Sequence, residues 1–164
     1  MTLHTGPGCS IRPSASSLAS GSRLLSTSCP STPDSNAGCA FLDRSPLSFG
    51  ASFNKANGGV FAHLWNESGI SIWHWPRASI PNDITAKKPN PSQWGRPVAD
   101  FPSTDCNIAS HFVDHSLIID TSICGQWAGP TFSDFGCDGT CAEFVANPKN
   151  FESEPFWMES ITAH

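Results

Sequence analysis

Gly58-Gly59-Val60-Phe61-Ala62-His63-Leu64-Trp65, then Asn66-Glu67-Ser68-Gly69, then Ile70-Ser71-Ile72-Trp73-His74-Trp75 is the stretch that decides the fold. Two apolar runs rich in β-branched and aromatic residues flank a four-residue polar turn that ends in glycine, the pattern of a β-hairpin. Side chains alternate across a strand, so Ile70, Ile72 and His74 face one way and Ser71, Trp73 and Trp75 the other. Tryptophan on the face that would otherwise be polar points to a binding surface.

Outward from the hairpin, residues 76–106 contain six prolines (Pro76, Pro81, Pro89, Pro91, Pro97 and Pro102). Proline density of that kind excludes a helix and predicts an extended connection. Ser116-Leu117-Ile118-Ile119-Asp120-Thr121 reads as a buried strand bounded by Cys124-Gly125, and residues 141–147 as one or two helical turns stopped at Asn147-Pro148. Upstream, residues 1–5 alternate as if inside a strand, and residues 13–38, rich in Ser, Pro, Asn and Gly, read as a long loop. No internal repeat is visible. The sum is an all-β chain, an antiparallel sandwich or jelly roll with long loops.

With 164 residues, one domain with a real core is expected over residues 1–164. Only 14% of residues are charged, but six Trp and eleven Phe supply more apolar surface than a disordered chain carries. A net charge of −5 with nine Lys and Arg offers no basic stripe, which argues against nucleic acid and against anionic membrane surfaces as partners. Seven cysteines (Cys9, Cys29, Cys39, Cys106, Cys124, Cys137 and Cys141) and the sequon Asn66-Glu67-Ser68 suit an oxidising, secreted context. The odd count leaves one thiol free, with Cys9 the first candidate. Cys137-x3-Cys141 reads as a short disulfide loop. The first residues lack a basic and an apolar leader region, so no signal peptide is expected in this chain.

Local strings then become specific. Thr2-Leu3-His4-Thr5 with Gly8-Cys9, Asn36-Ala37-Gly38-Cys39, Ser52-Phe53-Asn54 with Gly58-Gly59, and Trp73 followed by Pro76-Arg77 and Ile80-Pro81-Asn82-Asp83-Ile84 come first. Trp94-Gly95, Phe101-Pro102, Cys106-Asn107-Ile108 with Ser110-His111-Phe112, and Cys124-Gly125-Gln126-Trp127-Ala128-Gly129 follow in order. Together these strings resemble the fungal laminarinase-type branch of glycoside hydrolase family 16 over nearly the whole chain. The resemblance implies a concanavalin-like β-jelly-roll of two curved antiparallel sheets with a sugar-binding cleft on the concave side. It also implies endo-acting, retaining hydrolysis of β-1,3 or mixed β-1,3/1,4-glucans, by an extracellular monomer that needs no cofactor.

Retaining chemistry needs two carboxyl groups about 5 to 5.5 Å apart. The family carries them in a Glu-x-Asp-x-x-Glu run just before the Thr-Leu-His-Thr string. The glutamates here, Glu67, Glu143, Glu152, Glu154 and Glu159, have no Asp two residues on. The sandwich is therefore expected to be incomplete at its N-terminal side and the chain catalytically silent. A β-glucan-binding remnant without catalysis, or a truncated product without function, are the rival expectations.

The resemblance makes Trp127 a ring that stacks on a glucosyl unit, with core packing as the alternative. His4 stands for a histidine that hydrogen-bonds substrate or orients a carboxylate. Trp73 and Arg77 complete the substrate-binding set, Trp73 by ring contact and Arg77 through a sugar hydroxyl. His111-x3-His115 has the spacing of a helical zinc pair, but on a strand the two rings would stand roughly 13 Å apart, so no metal is expected.

Overall fold

The computed structural model describes residues 1–33, 35–119, 123–152 and 160–162, the side chains of 16, 126, 127 and 135 excepted. The chain divides into two compact units, Met1–His115 and Ser116–His164.

The first unit holds two three-stranded antiparallel sheets. In one, β1 (Thr2–Leu3), β3 (Cys39–Asp43) and β2 (Ser22–Ser26) lie in the order β1-β3-β2. In the other, β4 (Gly59–Asn66), β5 (Gly69–Pro76) and β6 (Ala99–Pro102) lie in sequence order. The hairpin read from the sequence is β4–β5, paired from Gly59↔Pro76 to Asn66↔Gly69. Its loop is held by Asn66, whose side-chain oxygen accepts from the Ser68 N–H at 2.8 Å and the Ser68 hydroxyl at 2.6 Å. Gly69 is required at the turn exit, since a Cβ there would lie 2.6 Å from the Phe101 carbonyl oxygen.

Along β6 and β3 alternation sends every second residue inward. Ile72, Ala99 and Phe101 from the second sheet meet Leu3, Cys39 and Phe41 from the first in one buried cluster. Phe41 and Phe101 touch edge to face at 5.5 Å between centroids, which ties the two layers together. Two disulfides staple this unit, Cys29–Cys39 beside β3 and Cys9–Cys106 across 97 residues of chain. Cys9 is thus bridged and not the orphan thiol.

Two expectations are corrected here. Residues 13–38 are not one loop: a 3-10 turn at Pro13–Ser17 leads into β2, which pairs with β3 through a bulge near Leu24 and Ser26. The Ser-rich composition hid a strand in which only Leu24 leans on the core. The proline-rich span contains α2 (Asn82–Thr85) and 3-10 turns at Arg77–Ser79 and Pro91–Gln93 as well as β6. Pro81 stands at the N-cap of α2 and Pro91 at the first position of its turn, where a missing N–H costs nothing. Two further short helices, α1 (Gly50–Lys55) before the hairpin and α3 (Ile108–His111) after Cys106, are each one turn or little more.

The second unit contains α4 (Gly125–Ala128) and α5 (Cys141–Ala146). The helical turns expected over 141–147 are α5, started by a capping box in which Thr140 Oγ1 accepts from the Glu143 N–H and Glu143 accepts from the Thr140 N–H. The strand expected at 116–121 is absent over Ser116–Ile119, where Leu117 and Ile118 are 74% and 78% exposed. β-branched residues give a propensity, but a strand exists only with a partner, and 116–119 has none among the described residues. Asp120 and Thr121 lie outside the described residues. Cys141 bonds Cys124, not Cys137. Left-handed turns at Gly136 and Gly139 flank Cys137, which is exposed and free. No helix among the described residues is long and apolar enough to cross a membrane.

Loop closure over 97 residues makes Cys9–Cys106 worth about 4 to 5 kcal/mol through the unfolded state. The Cys9→Ser/Cys106→Ser variant is expected to lose about that much stability in urea titrations, while Cys137→Ser leaves the midpoint unchanged.

Candidate functional site

His4 directly follows β1, whose Leu3 enters the core while Thr2 is exposed. Its Nδ1 lies 3.2 Å from Ser31 Oγ, and that hydroxyl donates to Asn36 Oδ1 at 2.8 Å. The one proton of Ser31 is committed to Asn36, so His4 Nδ1 is the donor of the pair. In the neutral ring Nε2 is then an acceptor, and in the charged ring a second donor. The exposed imidazole can take a sugar hydroxyl in the first state and hold a carboxylate in the second. Gly38 makes this arrangement possible: its φ is +65°, and a Cβ would stand 2.6 Å from the Leu3 carbonyl oxygen and 2.8 Å from His4 Nδ1.

Trp73 and Trp75 share the outer face of the second sheet, as alternation requires. Both meet Trp94 edge-on at 5.2 Å, and Trp94 donates its indole N–H to Asp83 Oδ2 at 2.7 Å. The Asn90 N–H donates to the same oxygen, and these bonds hold the Asp83 carboxyl below the usual carboxylate range. Trp73 is buried, with its own N–H given to the Gly95 carbonyl at 3.1 Å. The proline-rich segment therefore closes over Trp73, and only Trp75 and Trp94 keep partly open rings. Arg77 is exposed, and its Nε donates to the Asn57 carbonyl at 2.9 Å.

The three sequence candidates of the first unit do not gather at one point. His4 adjoins the first sheet, while Trp73 lies on the side of the second sheet turned away from the shared core, with Arg77 at the end of β5. Trp127 stands in α4, in the other unit, and its side chain is outside the described residues.

Sequence reading did not find several of the groups that organise these positions. Ser31 and Asn36 orient His4, yet nothing in a Ser-rich segment singles them out. Asp43 pairs with buried His74 at 3.0 Å (Oδ2 to Nδ1). The hairpin alternation already put His74 on the apolar face, where it needed an acid, but not which one. Asp105 is held by Arg12: burial pushes its carboxyl up, but the Arg12 N–H and guanidinium outweigh that and bring it below its ordinary value.

His111 and His115 are not on a strand, contrary to the reading that separated them. His111 ends α3 and lies with both ring nitrogens on carbonyl oxygens, Nε2 at 3.0 Å from Pro7 and Nδ1 at 2.9 Å from Asn107. His115 Nδ1 is 3.0 Å from the Val113 carbonyl. Among the described residues, Cys9, Cys106 and His111 could hold a metal by proximity, but the two sulfurs are joined to each other and offer no thiolates.

This geometry is shared with proteins of known structure. Its layered antiparallel sheets are those of the carbohydrate-active jelly rolls: laminarinase 16A from Phanerochaete chrysosporium, solved with β-glucans in donor and acceptor sites, superposes with a TM-score of 0.85 at 36% identity. That match covers 93% of this chain and 52% of the laminarinase chain. An elongating family 16 β-1,3-glucosyltransferase superposes at 0.80 with 34% identity, over 93% of this chain and 52% of its own. The family model described as the XgeA-like catalytic domain of glycoside hydrolase family 16 matches residues 1–164, and the chain belongs to that family. A probable glycosidase of Schizosaccharomyces pombe is 42% identical over 96% of this chain, and an endo-1,3(4)-beta-glucanase of Arthroderma benhamiae 37% identical over 94%. The chain spans 38% and 35% of the length of these two relatives and about half, 52%, of the solved chains.

Two outcomes are expected. Gly38→Ala forces the Thr2–His4 backbone and the His4 ring apart, and should lower stability by about 1 to 3 kcal/mol with a shifted His4 imidazole resonance. The carbonyls of Pro7 and Asn107 raise the His111 pKa above 6.5. A pKa raised in the folded state stabilises fully below the unfolded value and loses that contribution as pH rises through the folded one. Urea midpoints should therefore fall on going from about pH 6 upward through the raised His111 value, and His111→Phe should flatten that slope.

Proposed function

We propose that residues 1–164 are one partial family 16 domain that recognises β-1,3 or mixed β-1,3/1,4-glucan. The observation that carries this reading is the likeness at TM-score 0.85 and 36% identity to a laminarinase solved with β-glucans bound. His4, with its nitrogen oriented by Ser31, supplies a polar contact to a sugar hydroxyl. Trp127, in Cys124-Gly125-Gln126-Trp127, supplies the ring whose apolar face stacks on a pyranose. Arg77 and the Trp73 face are the remaining contacts in this reading, with half-buried Trp75 and Trp94 the rings of that face open to a sugar.

Cleavage is a separate matter. The two-carboxylate chemistry needs an acid and a nucleophile in close opposition. None of the five glutamates belongs to a Glu-x-Asp-x-x-Glu run. Glu67 is in the exposed hairpin loop, and Glu143 is spent on the capping box of α5, whose hydrogen bonds from Thr140 hold its pKa below the usual range. The 164-residue chain therefore binds glucan as a monomer and does not hydrolyse it, while the domain type to which it belongs is that of endo-1,3(4)-β-glucanases. Three disulfides fit an extracellular setting, where such bonds persist.

Laminarin binding by calorimetry, with reducing-end release measured alongside, tests this. Binding without release is expected, weakened about tenfold or more by Trp127→Ala, a loss of about 1.4 kcal/mol or more, and less by His4→Ala. Reducing ends released by the purified chain would overturn the claim of silence. Absence of binding in a cooperatively folded chain would overturn the claim of recognition.

A further inference from the structure

Asn66-Glu67-Ser68 forms the tip of the β4–β5 hairpin, and all three residues are exposed. Asn66 is the last residue of β4 and stands opposite Gly69. The Ser68 N–H and the Ser68 hydroxyl both meet one side-chain atom of Asn66, at 2.8 and 2.6 Å. Two donors on one atom identify it as the carboxamide oxygen, Oδ1. The amide is thereby held in an Asx turn with Nδ2 on the other side of its plane. That nitrogen has no hydrogen-bond partner among the described residues. The support beneath is secure: the Ser103 N–H donates to the Ser68 carbonyl at 2.9 Å, and Gly69 is buried.

Only Asn66 and Asn90, among the asparagines of the chain, have a serine or threonine two residues on. Asn90 is exposed, and Ser92 Oγ donates to its Oδ1 at 2.7 Å, so the hydroxyl contact exists there too. Pro91 stands between them and opens a 3-10 turn. Proline is the one middle residue that an N-glycan acceptor triplet excludes. At Asn66 the middle residue is Glu67, and sequence, hydroxyl contact, exposure and an open nitrogen coincide.

We infer that Asn66 is an N-glycan acceptor. In the transfer, Nδ2 forms a bond to the anomeric carbon of an oligosaccharide carried on a lipid pyrophosphate. The bond from that carbon to the pyrophosphate oxygen breaks, the pyrophosphate leaves with the electron pair, and Nδ2 gives one proton to a base of the transferase. The folded hairpin accommodates the product, because the Asx turn uses only Oδ1 and the sugar replaces a hydrogen that bonds nothing. The glycan adds a large hydrated group next in sequence to Trp65, which is 49% exposed and meets Phe112 and His115 edge-on at 6.2 and 5.7 Å. With the proposed function this inference shares only the passage of a disulfide-bonded chain through an oxidising compartment. Glucan recognition does not enter it.

The test translates the 164-residue chain behind a cleavable leader into microsomes, so that the protease-protected product is read whether or not it is later exported. Mass spectrometry before and after an N-glycan amidase should find one oligosaccharide on the parent, removed by the enzyme to leave a carboxylate where Asn66 stood. Ser68→Ala should lose nearly all of that occupancy, and Ser68→Thr should keep it. Asn66→Asp retains the Oδ1 acceptor and with it the turn; it should lose the oligosaccharide entirely, while hydrogen exchange at the β5 amides stays as in the parent. A protected parent chain without oligosaccharide overturns the inference, as does a glycan on Asn90 or one that survives Asn66→Asp. Laminarin binding by the same product is scored apart. A glycan at Asn66 without glucan binding leaves this site standing and removes the proposed function, and glucan binding by a bare chain does the reverse.

Discussion

The contact of Phe41 with Phe101 is what the first unit depends on. One ring comes from the middle strand of one sheet and the other from the edge strand of its neighbour, and both are fully buried. Neither three-stranded sheet could bury its apolar face alone. Around this contact the cluster gathers Leu3, Ile72, Ile108 and the paired sulfurs, so apolar packing and covalent stapling reinforce the same place. The cysteines are part of the core as well as its clasps: Cys29 and Cys39 are wholly buried.

Legibility in the sequence followed the strength of local signals. The β4–β5 hairpin was readable because alternation, a polar turn and a closing glycine all agree over Gly58–Trp75. α5 was readable from its Asn147-Pro148 stop, and Thr140-x-x-Glu143 was a further signal of its start. β2 was not, because Ser22–Ser26 commits only Leu24 to the core and its strand character comes from β3. The Ser116–Ile119 run carried the opposite error: strong propensity with no pairing partner among the described residues. Disulfide pairing is a tertiary fact, so Cys141 could be matched to Cys124 only once the turns at Gly136 and Gly139 were seen. Of the candidate site, the resemblance marked His4, Trp73, Arg77 and Trp127, but their support was invisible. Ser31 lies 27 residues from His4, and Trp94 lies 21 residues beyond Trp73, in a segment that composition alone marked as connection.

Site and scaffold divide the labour in a way common to sandwich folds. The inner faces hold the layers together, while chemistry is presented on outer faces and adjoining loops. His4 is placed by one strand, one serine and one glycine, all fixed by the β1–β3 pairing. On the second sheet the outward tryptophans are roofed by the proline-rich segment, which turns what strand alternation presents as a platform into a half-closed aromatic stack.

The span of the Cys9–Cys106 bridge bears on how the chain responds to a proteolytic cut. Most of the first unit, including every exposed loop from Ser10 to Asp105, lies inside that covalent circle. A protease that cuts once in the proline-rich loops, for instance near Lys87-Lys88, opens the circle without releasing a piece. The nicked product stays one covalent molecule, with β6 tethered to the piece that carries β1 to β5, until a reductant reaches the buried sulfurs.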